Sequence, residues 1–170
     1  MRDVTDLILD DHAEMRRQFA DLDNAASDEQ RADVWASLSV LLDLHAATEE
    51  AVFYPHLLRH GAQAEEETDD AIRDHNAIRD GVAGARRAPV GSQQWWAAVG
   101  KARQENDEHM AEEEREALPD FRRHATDELR HELATRFLAF KAGHPGGQGA
   151  DTGDKDPTEY IEENRYPRPS

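Results

Sequence analysis

The sequence predicts an all-α chain: a bundle of four long amphipathic helices, a short extra C-terminal helix and a mobile tail. Two observations predict it. Apolar residues recur at steps of three and four from the start to about residue 142, with hardly any alternating pattern. A segment carrying histidine and glutamate on those same apolar stripes occurs twice.

In chain order, Val4, Ile8, His12, Met15, Phe19 and Leu22 trace one face of a first helix. Ser27 with Gln30 three residues on reads as a capping box that opens a long second helix. Its stripe is Val34, Leu38, Leu41, His45, Glu49, Val52 and His56. A third helix, roughly 63–87, carries Ala71, Ile72, His75, Ile78 and Val82. The run Ala88-Pro89-Val90-Gly91-Ser92 interrupts the chain, and Ser92 can cap a fourth helix. That helix shows Trp95, read as core, then Val99, Ala102, Asn106, His109, Glu113 and Ala117 on one face. A fifth segment, about 127–141, with Leu129, Leu133, Phe137 and Phe140, is expected to cover the open end of the bundle. The expected domain is 1–142. Residues 143–170, acidic and rich in glycine and proline, are expected to be a disordered tail because they offer little surface to bury.

Composition narrows the chemistry. The 170 residues carry a net charge of −17, which disfavours nucleic acid and anionic membrane surfaces as partners. There is no apolar run long enough to span a bilayer, and the first residues do not read as a signal peptide, so a cytoplasmic location is expected. With no cysteine, disulfides and thiolate metal sites are excluded. Any metal must be held by imidazole and carboxylate.

The repeat points to such a site. His12 is followed 33 positions later by His45, then Glu49, Glu50 and Pro55. His75 is followed 34 positions later by His109, then Glu113, Glu114 and Pro119. The context recurs too: Asp11-His12 with Met15-Arg16 parallels Asp74-His75 with Ile78-Arg79. Residues four apart share a helix face, so His45/Glu49 and His109/Glu113 each aim two donor groups at one spot. Four imidazoles and two carboxylates in one core need a neutralising partner, and facing helices of a bundle can hold two metal ions in this manner. His56, His60, His124, His131 and His144 have no counterpart in the pattern and are read as surface or packing residues.

On these residues the chain resembles the hemerythrin family, in its bacterial HHE cation-binding branch, over about residues 1–142. The resemblance implies an up-down-up-down bundle with two iron ions in an oxo- or hydroxo-bridged di-iron centre. It implies His12 and His45 on one iron, His75 and His109 on the other, and Glu49 and Glu113 bridging. Oxygen carriers of the family place the second bridge one residue later, which here is Glu114; Glu113 is preferred because it matches the first half. The carriers also have a further histidine where this chain has Arg79, so six protein ligands remain and both irons are left an exchangeable position. Arg79 reads as a candidate group behind the ligands, a cation near the rim of the site, or a solvent-facing residue. Tyr54 is a candidate hydrogen-bonding group behind the ligands, although an ideal helix points it well away from Glu49.

These features lead to the expectation of a di-iron protein that reacts with small oxidants, namely hydrogen peroxide, nitric oxide or O₂, in oxidative or nitrosative stress defence. An unknown reductant would support it as an oxidoreductase. The alternative is a non-catalytic protein that binds or senses O₂, iron or redox state.

Overall fold

The computed structural model describes residues 2–166, which are helical throughout with no strand among them. Helix α1 is Val4–Asn24, α2 is Asp28–Thr48, α3 is Tyr54–His60, α4 is Ala64–Arg86 and α5 is Gln93–Arg115. Helices α6 (Ala117–His124), α7 (Asp127–Gly143) and α8 (Pro157–Asn164) follow. Packing runs α1 on α2, α2 on α4, α4 on α5 and α5 back on α1, which closes the four-helix bundle. No described helix is long and apolar enough to cross a membrane.

Local chemistry sets the helix starts. Asp3, Ser27, Ser92 and Thr126 each accept a hydrogen bond from a first-turn backbone N–H, so the exposed ends of α1, α2, α5 and α7 are satisfied. Gln30 Oε1 accepts from Ala26 N–H at 2.8 Å, completing a box around Ser27 one residue earlier than the standard pattern. Gly81 allows the tightest approach of α4 to α5, since a Cβ there would lie 2.7 Å from the backbone N of Ala102.

The long second helix is not continuous. A π turn, Glu49–Phe53, separates α2 from α3, and Pro55 lies just after it. Proline has no N–H to give the carbonyl four residues back, and the wider turn absorbs that defect. The fourth helix is likewise interrupted at Glu116, three residues before Pro119. The first break begins at the glutamate pair of its half of the repeat, and the second falls two residues after the pair of the other half.

The interior is divided in two. One apolar cluster holds Ile8, Phe53, Leu57, Ile72, Phe121, Leu133 and Phe137, among others. The second holds Met15, Phe19, Leu38, Leu42, Ile78, Trp95 and Val99. On α1, His12 lies between Ile8 of the first and Met15 of the second; on α4, His75 lies between Ile72 and Ile78. A polar layer therefore crosses the bundle between two apolar ones. Helix α7 packs along α1 and the π turn, beside that layer.

The expectation of a disordered tail from 143 onward is corrected by the structure for residues 143–166; residues 167–170 lie outside the described residues. Gly146, Gly147 and Gly149, with φ of 63°, 78° and 77°, turn the chain back after α7. Asp156 then caps α8 and Pro157 occupies its first position. Tyr160 and Ile161 are buried where α8 packs on α3 and α4. Composition underestimated the segment because two apolar side chains suffice once a groove exists to receive them, and that groove is made by residues about 90 positions earlier.

Candidate metal centre

Six side chains converge in the polar layer, one or two from each bundle helix. His12, His45, Glu49 and Glu113 offer ligand atoms within 4.8 Å of one another, and so do Glu49, His75 and His109. All six residues are buried. Glu49 joins the two groups: its Oε1 lies 3.0 Å from His45 Nε2 and its Oε2 lies 3.2 Å from His75 Nε2 and 3.8 Å from His109 Nε2. Glu113 Oε2 lies 3.1 Å from His12 Nε2 and 4.0 Å from His109 Nε2. Its Oε1 accepts a 2.8 Å hydrogen bond from Tyr54.

A second ring of carboxylates holds the outer nitrogen of every imidazole. His12 Nδ1 meets Glu114 Oε1 at 2.9 Å, and His75 Nδ1 meets Glu50 Oε1 at 2.9 Å. His45 Nδ1 meets Asp11 Oδ2 at 2.9 Å, and His109 Nδ1 faces Asp74 Oδ2 at 3.4 Å. The repeat therefore has a use for every conserved position of its own pattern: the aspartate before each first histidine serves the second histidine of the same half. The second glutamate of each pair crosses to the first histidine of the other half. Each imidazole is fixed with Nε2 facing inward, the orientation that carboxylate–histidine pairs give to metal ligands. Sequence reasoning missed these four roles, although the recurrence of Asp11/Asp74 and Glu50/Glu114 was the available signal. Glu114 meets the outer nitrogen of His12, while Glu113 meets its inner one.

Cations neutralise three of the outer carboxylates. Lys141 bonds Asp11 at 2.6 Å, Arg16 bonds Glu114 at 2.8 Å, and Arg79 and Lys155 bond Glu50 at 2.9 and 2.7 Å. Arg79 does not face solvent. It is buried, 6 % exposed, and its guanidinium is engaged by Glu50, behind His75. Arg16 makes the matching contact in the other half, so the arginine belongs to the repeat rather than to the rim.

Burial alone disfavours an imidazolium, but Glu49 and Asp11 outweigh it at His45 and raise its pKa to about 10. His109 is likewise raised to about 10 against its burial, by Asp74, Glu49 and Glu113. For Glu50, desolvation is outweighed by His75 and Arg79, which bring its pKa down to about 2. Burial, with Glu113 and Glu49 nearby, pushes the Tyr54 phenol well above its usual range. The layer thus strongly favours positive charge at its centre.

The donor set also fits a cation on another count. His12 Nε2, His45 Nε2, both oxygens of Glu49 and Glu113 Oε2 are buried without a hydrogen-bond partner. Their mutual distances of 3.0–3.2 Å do not carry hydrogen-bond geometry. Leaving a buried polar atom unsatisfied costs about 1–3 kcal/mol, and more for a charged one. Atoms of imidazole and carboxylate that converge with nothing between them are satisfied together by metal ions.

The family of hemerythrin HHE cation binding domains matches residues 3–121, from the cap of α1 to within α6. The chain belongs to the hemerythrin HHE family. No curated protein and no solved structure matches it. The hemerythrin domain and its buried His/Glu cluster together fit a di-iron protein. Helix α7 and the segment leading into α8 lie beyond the matched part, yet they supply Lys141 and Lys155 to the outer ring.

The remaining histidines stay out of the layer. His56 and His60 stack with ring centroids 6.5 Å apart, His124 pairs with Asp120 at 2.8 Å, and His144 stacks on Phe140. A narrow cleft between α4 and α5 does reach the layer. Its floor is Tyr54, His109 and Glu113, and its rim is Glu67, Asp70, Asp74, Glu112 and Glu116. The free space is about 20 Å³, room for roughly one water molecule.

Proposed function

We propose that this hemerythrin domain holds two iron ions, with His12 and His45 at one, His75 and His109 at the other, and Glu49 and Glu113 shared between them, and that it consumes small oxidants. The observation that carries the metal assignment is Glu49, whose two unpartnered oxygens divide between two imidazole groups. The donor set suits manganese, zinc or cobalt as well, and family membership selects iron. Bound iron supplies Lewis acidity and one-electron redox chemistry.

The protein's own part is positioning and exclusion. The outer carboxylates keep the four Nε2 atoms inward. Tyr54 holds Glu113 through Oε1, leaving Oε2 for the layer. Phe137, at 6.5 Å from the His45 ring, and the two apolar clusters keep bulk water out. The six His and Glu groups of the layer, with Arg79 engaged by Glu50, support a reading in which exchangeable positions are left for a small ligand. The cleft, with room for about one water, opens onto the layer from the side of α4 and α5, and its acidic rim disfavours anions. This fits a role in oxidative or nitrosative stress defence.

The test is elemental analysis and an optical spectrum of the isolated protein, followed by additions of hydrogen peroxide and of nitric oxide. Two irons per chain, lost in H45A and H109A, and consumption of either oxidant are expected. Trace metal after growth in iron-rich medium overturns the metal assignment. Full iron with a persistent air-dependent band and no reaction makes the protein a carrier or sensor instead.

A further inference from the structure

Beyond the part of the chain shared with the family, residues 144–164 return to the metal layer and grip it at one place. The side chain of Asn76, next to His75, donates to Lys155 O at 2.7 Å and accepts from Lys155 N–H at 3.0 Å. Lys155 Nζ then reaches Glu50 Oε2 at 2.7 Å, and Glu50 Oε1 holds His75 Nδ1 at 2.9 Å. The Tyr160 hydroxyl donates to the backbone carbonyl of Glu50 at 2.5 Å. Two separate hydrogen-bonded ties therefore fix the segment, one to Asn76 beside His75 and one to the backbone of Glu50 itself.

On the His12/His45 side the lysine sits elsewhere: Lys141 bonds Asp11, behind His45, and among the described residues none reaches Glu114. Glu114, the partner of His12, meets only Arg16, whose side chain is 48 % exposed. Glu50 is enclosed by Arg79 and Lys155, whose side chains are 6 % and 19 % exposed. A charge on a buried partner is screened far less than one in solvent. The tail thus gives Glu50 a second cation, where Glu114 has Arg16.

We propose that Lys155 is a positioning residue, delivered by the C-terminal segment, that acts through Glu50 and His75 to raise the reduction potential of the metal position on the His75/His109 side. The proposal rests on the two-iron reading above. A carboxylate on Nδ1–H makes an imidazole more electron-rich and favours the oxidised metal. A buried ammonium on that carboxylate withdraws part of this effect, and its own charge opposes the extra positive charge of oxidation. Both influences have the same sign. For a unit charge roughly 10 Å away at an effective dielectric of about 20, the oxidised-to-reduced ratio at fixed potential changes about tenfold.

The experiment uses the full, iron-loaded chain with K155M and K155R. Iron content, melting temperature and a mediated redox titration are read on each. The backbone tie to Asn76 does not involve the lysine side chain, so both variants are expected to keep the fold and the iron. K155M should raise the oxidised-to-reduced ratio about tenfold at the wild-type midpoint, with K155R close to wild type. Normal iron with an unchanged ratio in K155M overturns the proposal alone, as does an equal shift in both variants. An unaltered protein without iron overturns the two-iron reading and this proposal with it.

Discussion

The hydroxyl of Tyr54 donates a 2.8 Å hydrogen bond to Glu113 Oε1, which ties the first half of the repeat to the second inside the polar layer. The π turn makes this possible. By widening the helix between Glu49 and Phe53 it rotates Tyr54 into the bundle, where an unbroken helix would turn it away.

Y54F is therefore expected to leave Glu113 Oε1 buried and unsatisfied. The cost should be about 1–3 kcal/mol, or roughly 2–10 °C in melting temperature for a domain of this size. Thermal melts of metal-free Y54F and unaltered protein check this. Equal melting temperatures would mean that water replaces the phenol.

The outer carboxylates should matter for affinity rather than for fold. E114Q and D11N are each expected to weaken iron binding about 10–100-fold, since outer partners fix the tautomer and aim of the ligand imidazole. E113Q, which alters an inward group, should lower the amount bound. Competition against a chelator separates the two behaviours.

The inward residues were legible in the sequence because helical period and internal repeat coincide on them: a polar residue on an apolar stripe, twice, at matched spacing. The outer ring was not, because its partners cross the fold. Glu114 serves a histidine 102 positions away and Glu50 one 25 positions away, and nothing local marks either pairing. The partner of Arg79 was not legible for the same reason, as it lies on another element. The capped starts of α2 and α5 were readable from Ser27 and Ser92 alone, whereas the π turn depends on how Pro55 is accommodated in the packed bundle.

The metal-free protein should lose stability as pH rises from 7 toward 10. His45 and His109 have folded-state pKa values of about 10, above the 6.5 of an unstructured chain. Their contribution is fully present below pH 6.5 and disappears as pH rises through about 10. Metal-loaded protein has no imidazolium to lose there, so its melting temperature should stay flatter over that interval. Parallel melts at pH 7, 8.5 and 10 check the difference.

Glu67 gives a pH effect away from the layer. Burial, followed by the charge of Asp120 and a hydrogen bond to it, raises the Glu67 pKa to about 7. The folded state thus binds a proton more tightly than the unfolded chain, and stability falls between about pH 4.5 and 7. E67Q should raise the melting temperature at pH 8 and leave it nearly unchanged at pH 4. A gain of equal size at both values would assign the effect to packing.

Removing residues 144–170 should cost stability, contrary to what the composition of the segment implies. Tyr160 and Ile161 leave their groove, and burial of such side chains contributes about 1.5–3 kcal/mol each before the ordering cost. A chain ending at Gly143 is expected to melt several degrees lower, as calorimetry would show; an unchanged melting temperature would mean that α8 adds no net stability.

The division of the interior into two apolar clusters has a consequence for cooperativity. Among the described residues, the polar layer at His12, His45, His75 and His109 forms a seam across the four bundle helices between the two apolar clusters. Without ions to stitch that seam, the end holding Trp95 and the end holding Phe121 are coupled chiefly through helix backbones. Amide exchange in the stripped protein should then sort into two classes with different opening free energies, which merge into one when the seam is closed.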